Sequence, residues 1–119
     1  MAEHGAVVYT FAAPGTLGAN WVIYLELANA FMPRHVSVVG TNSSNALLSL
    51  GVSGATTAVL DTKDFGDSGD PAEYGPSDFA DADYQFAKGD IMVITVDYDG
   101  ASGTAVADPC IVVTGLLGA

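Results

Sequence analysis

The sequence predicts an all-β fold, an antiparallel β-sandwich in one domain spanning residues 1–119. Three observations predict it. Apolar residues recur at alternate positions in seven separate short runs, turn-forming residues separate those runs, and no segment sustains a helical period. With 50% apolar residues and 14 glycines the composition is that of a globular chain. A chain of this length buries roughly two-thirds of its unfolded surface.

The first run, GAVVYTF, sets Val7, Tyr9 and Phe11 on one face, and Pro14-Gly15 ends it. In the second, Trp21, Ile23, Leu25 and Leu27 alternate with Asn20, Val22, Tyr24 and Glu26, the pattern of a half-buried strand that makes Trp21 a core residue. Within LELANAFM one helical turn is possible, and Met32-Pro33 reads as a corner. RHVSVVG, ALLSLGV and TTAVL follow, divided by Thr41-Asn42-Ser43 and Ser53-Gly54. Residues 62–88 are too long for a tight connection and form an acidic, Gly/Pro-rich loop, with DYQF as a short eighth strand. DIMVITVDY and PCIVVTGLL complete the set, and the corners Gly89-Asp90, Asp99-Gly100 and Ser102-Gly103 flank them.

The net charge of −11 is concentrated in the second half, since of the 14 acids only Glu3 and Glu26 precede residue 61. Such a field repels phosphate backbones and anionic lipid, so neither nucleic acid nor membrane is an expected partner. The longest apolar stretch, residues 21–32, is broken by Glu26 and Asn29 and is shorter than the ~20 residues of a membrane span. Glu3 stands where a secretory signal would carry a base, which predicts no export through a signal peptide.

Catalytic and metal-binding patterns are weak. Cys110 allows no intrachain disulfide, lacks a basic neighbour in sequence and reads as a small core group. His4 and His35 lie in separate segments without zinc-site spacing. Ser43, Ser44, Ser53 and Thr57 sit in no nucleophile elbow, and Asp97 and Asp99 flank a hairpin corner, where Asp serves turn geometry. Asp61, Asp64, Asp67 and Asp70 recur every third residue but match neither the spacing nor the closing Glu of an EF-hand, so a solvated loop is preferred to a calcium site. No cofactor, metal or catalytic residue is expected. Tyr74, Phe79 and Tyr84 are candidates for exposed aromatics, or for side chains that pin the acidic segment down.

FAKGDIMVITVDYDG, residues 86–100, resembles a corner common in jelly-roll domains, including tumour necrosis factor-like trimers and small virion proteins. There an apolar residue, a Lys-Gly-Asp turn and an alternating strand lead toward the end of the chain. HVSVVGTNSSNALLSLGV ahead of an irregular acidic loop is similar to phage capsid decoration, or cement, proteins of this size. The resemblance implies a non-enzymatic, jelly-roll-like virion protein, made in the host cytoplasm. As a homotrimer it would bind the major capsid protein on the outside of an icosahedral shell and stabilise it.

Two-sided apolarity in IMVITV and CIVVTGLL adds an expectation about the interface. Ile91, Val93, Val112 and Leu116 point away from Met92, Ile94, Ile111 and Val113, so an oligomer contact is expected to cover them. The less acidic N-terminus, with Met1, Ala2, Glu3 and His4, is the expected capsid contact. Two other classes stay open: a carbohydrate- or ligand-binding sandwich, for example from a phage tail or fibre, and a hydrolase joining His35 to buried acids.

Overall fold

The computed structural model describes residues 5–118, which form eight strands. They are β1 (Ala6–Ala12), β2 (Trp21–Glu26), β3 (Phe31–Val39), β4 (Leu47–Val52), β5 (Ala55–Asp64), β6 (Ala72–Tyr74), β7 (Ile91–Asp97) and β8 (Cys110–Leu117). One 3-10 turn, Pro76–Asp78, is the only helical element among the described residues. Two four-stranded antiparallel sheets result, in the orders β1-β8-β3-β6 and β2-β7-β4-β5. The chain passes between sheets at the 1–2, 2–3, 3–4, 5–6, 6–7 and 7–8 connections, which makes the sandwich a jelly roll of two nested Greek keys.

Four loops at one end fix how the sheets stack. Leu17 and Ala13, after β1, donate to the carbonyls of Val106 and Pro109 in the β7–β8 loop. Thr41 and Asn45, after β3, donate to Ala107 and Thr104 of that same loop, and Gly40 donates to Gly66, after β5. This lateral series places β1 over β2, β8 over β7, β3 over β4 and β6 over β5. Gly5 and Gly118, the first and last described residues, lie at the opposite end, where the Leu117 amide donates to Gly5 and Gly118 donates to Ala30.

The alternation seen in the sequence is the alternation of burial. Met92, Ile94 and Val96 of β7 and Ile111 and Val113 of β8 are buried, and they meet Val36, Val38, Leu48, Leu50 and Leu60 in one core. Phe31 lies at its lower end, edge-on to Tyr9 at 5.2 Å and stacked near Phe86 at 6.2 Å. A Cβ on Gly115 would strike the Phe31 ring and the Met32 carbonyl, so glycine is what lets β3 close against β8.

Three local expectations are corrected. LELANAFM forms no helical turn, because β2 runs to Glu26 and β3 begins at Phe31. Pro33 is not a corner: it is buried inside β3, beside a register shift before His35, and a bulge is where a strand tolerates proline. The eighth strand is AEY, residues 72–74, paired with β3, whereas DYQF holds only the Phe86 bridge to Phe31. The segment 62–88 is thus no single loop: it contains the end of β5, all of β6 and the 3-10 turn, with Phe79 buried and the Ala80 amide donating to Val59.

Candidate interaction surfaces

The polar side chains singled out in the sequence serve turns. Asp90 accepts from the Ala87 amide at 2.8 Å and Gly89 takes a φ of 88°, which closes the Lys-Gly-Asp corner ahead of β7. Asp97 accepts from the Asp99 amide at 3.2 Å, and Asp99 accepts from the Ser102 hydroxyl at 2.7 Å. Asp108 accepts from the Gly15 amide and the Thr41 hydroxyl, binding three loops together. Asn42 bridges the β7–β8 loop at Ala105 and Ala107, while Asn45 accepts from Thr104.

The four regularly spaced acids do not converge on one point. Asp61 and Asp64 belong to β5, while Asp67 folds back on its own turn, accepting from the Gly69 and Asp70 amides and the Ser43 hydroxyl. The Ser43 hydrogen bond, followed by the Gly69 amide, holds the Asp67 carboxyl below its ordinary value of 3.8. No group of three or more His, Cys, Asp or Glu side chains is placed to hold a metal ion among the described residues.

Cys110 and His35 share the outer face of the first sheet but not a site. Cys110 pairs with Ala12 and Val39, whereas His35 pairs with Thr114, four residues along β8 and about 13 Å away at strand spacing. A nucleophile needs its base within hydrogen-bond reach. His35, half-buried, instead faces the exposed Glu73 on β6 at 3.2 Å. Of the aromatics in the acidic segment, Phe79 is buried and Tyr74 and Tyr84 are half-buried. Tyr74 donates to the Asp64 carbonyl at 2.6 Å, and burial, with Asp64 and Asp78 nearby, raises its pKa. Tyr84 packs edge-on to Phe86 at 4.9 Å. These rings pin the segment to the sandwich.

The four residues expected at an oligomer contact fall on two opposite faces. Ile91 and Val93 lie on the outer face of the second sheet, Val112 and Leu116 on the outer face of the first. Ile91 is 37% and Leu116 41% exposed, but Val93 is only 1% exposed. Val93 pairs with Gly51, over which the backbone of Ala55 and Thr56 folds, so the chain covers this position itself. Met1, Ala2, Glu3 and His4, the expected capsid contact, lie outside the described residues.

Sequence reasoning missed a different surface. On β1, Val7, Tyr9 and Phe11 point inward, and on β2 so do Trp21, Ile23 and Leu25, yet all six are only half-buried. Both strands are sheet edges, stacked one over the other, so the sandwich is open along this side. Val8 at 56%, Val22 at 41% and Tyr24 at 69% exposure flank the opening. A readable signal existed: residues 6–25 contain no Asp, Glu, Lys, Arg or His.

An open groove of about 550 Å³ lies at the end that carries the termini, lined by Asn29, Ala30, Gln85, Phe86 and Lys88 among others. Among the described residues no helix is long and apolar enough to cross a membrane. Comparison with family models, with curated proteins and with solved structures finds no match.

Proposed function

We propose that this chain is a non-catalytic structural protein of a phage particle, a decoration protein that assembles as a homotrimer and braces the outside of an icosahedral shell. The observation that carries the reading is the contrast between its polar and apolar groups. Asp67, Asp90, Asp97, Asp99 and Asp108, with Asn42 and Asn45, hold turns and loops together, while Val8, Val22 and Tyr24 stand in solvent on a chain of net charge −11. Side chains arranged in this way suit contact with protein. The jelly roll is a fold that capsid proteins use, although fold alone does not assign function. The acidic surface is consistent with a location in virions away from the packaged genome, and the major capsid protein is the partner in this reading.

Residues 1–4 are the proposed capsid contact, because they belong to the half of the chain that carries few acids, only Glu3 and Glu26 preceding residue 61. The test is the stability of shells purified without this protein. Added protein should raise the temperature at which they release their contents, and a variant lacking residues 1–4 should not. Unchanged release with saturating protein would refute the proposal.

A ligand-binding role, as in a tail or fibre module, has one specific support, the groove beside Phe86 with Asn29, Gln85 and Lys88 as polar groups. Glycan-array binding lost on Gln85→Ala would favour that reading.

A further inference from the structure

We infer that the edge formed by β1 and β2 is the surface through which copies of this chain join, each covering the open side of the next. The inference rests on the self-assembly proposed above and names the surface responsible for it.

The two edges of the sandwich are built differently. On the far side, β6 is three residues long and carries Glu73, and β5 bears Asp61, Lys63 and Asp64 and breaks register twice against β4. Short length, charge and bulges are the devices that stop a sheet edge from pairing with another chain. The near side has almost none of them. β1 and β2 are seven and six residues of unbroken strand, each with an unbroken register to its one partner among the described residues, β8 and β7. Neither contains proline, and Glu26 at the last position of β2 is their only charge.

Charge selects the occupant. Two copies at −11 repel wherever acids face each other, and twelve of the 14 acids follow residue 60, on β5, the β5–β7 segment, the end of β7 and the β7–β8 loop. A basic partner would be drawn to those acidic regions. The uncharged run of residues 6–25 covers β1 and all of β2 except its last residue, Glu26, and is a long stretch on which a second copy meets no like charge. Its side chains are complementary to themselves, since apolar rings and aliphatics left half in water on one copy are buried by the same groups on another. In a closed ring of three the three edges face the axis, and the acidic segments stay outside.

Trp21, the only tryptophan, reports on this edge directly. The experiment follows acrylamide quenching of its fluorescence and the mass by light scattering on the same samples across a dilution series. Quenching should fall several-fold as the mass rises from 12.1 kDa to the oligomer. The double variant Val8→Glu, Val22→Glu changes only outward side chains on the edge strands, so it should keep the native circular dichroism yet remain monomeric. Leu116→Glu, on an inner strand of the first sheet, should still assemble. If the mass rises while Trp21 quenching stays constant, or if the folded double variant assembles like the parent, the edge is not the contact although self-assembly stands. A monomer at every concentration overturns self-assembly itself.

Discussion

Removing the Phe31 ring tests how the lower core is closed. Phe31 is fully buried, touches the rings of Tyr9 and Phe86, and exchanges two backbone hydrogen bonds with Phe86 at 2.8 and 3.0 Å that a side-chain change leaves in place. Phe31→Ala should therefore cost about 3–5 kcal/mol, the transfer of the ring plus the cavity left behind. With an unfolding entropy near 2.1 cal/mol/K per residue, that is a fall in Tm of roughly 12–20 °C for a chain of this size. Gly115 sharpens the test. In the parent, Gly115→Ala drives a methyl group against both the Phe31 ring and the Met32 carbonyl, an overpacking cost of ~1–3 kcal/mol. In the Phe31→Ala background the clash with the ring is gone while the one with the Met32 carbonyl stays, and the same methyl partly fills the cavity. The double variant should thus be more stable than the sum of the single losses by at least about 0.5 kcal/mol, measured by urea denaturation. Additive losses would show that the ring does not lie on Gly115.

Asp67→Asn should remove part of the acid sensitivity of the β5–β6 turn. Because the folded carboxyl titrates below its ordinary value, its contribution is present above about pH 4 and disappears as pH falls through the lowered pKa. The Tm difference between parent and variant should accordingly vanish in strong acid. Asp90→Ala should cost about 0.5–1.5 kcal/mol by losing its bond to the Ala87 amide, read from the denaturation midpoint, and an unchanged midpoint would remove Asp90 from the turn. Calcium in millimolar excess should leave Tm unchanged. A site filled at a hundred times its dissociation constant would add ~2.7 kcal/mol, so a shift of several degrees with calcium but not magnesium would contradict the dispersed placement of Asp61 to Asp70.

Seven strands were legible in the sequence because short apolar-rich runs lie between turn residues, and in β1, β2 and β8 burial alternates along the strand as the apolar residues do, whereas β4 is buried on both faces. β6 was not legible. Three residues of AEY carry no period, and pairing with Val36, Ser37 and Val38 of β3 makes them a strand. Pro33 misled for a related reason, since local preference favours a corner and the bulge that admits proline is a property of the pair β3–β8. The turn roles of Asp90, Asp97 and Asp99 could be read from residue type and spacing alone. The surfaces could not. Alternation says which residues share a side of a strand, but the sheet order decides that Ile91 and Leu116 face opposite directions and that the half-buried Tyr9 and Trp21 lie along an open edge.

The most direct measurement of the proposed function is quantitative cosedimentation of the purified protein with icosahedral phage shells prepared without this chain. A structural decoration protein should pellet with them at a fixed, saturating number of chains per shell, and the bound chains should be counted in multiples of the oligomer. Protein that stays in the supernatant at every concentration, while folded and assembled, would contradict the account.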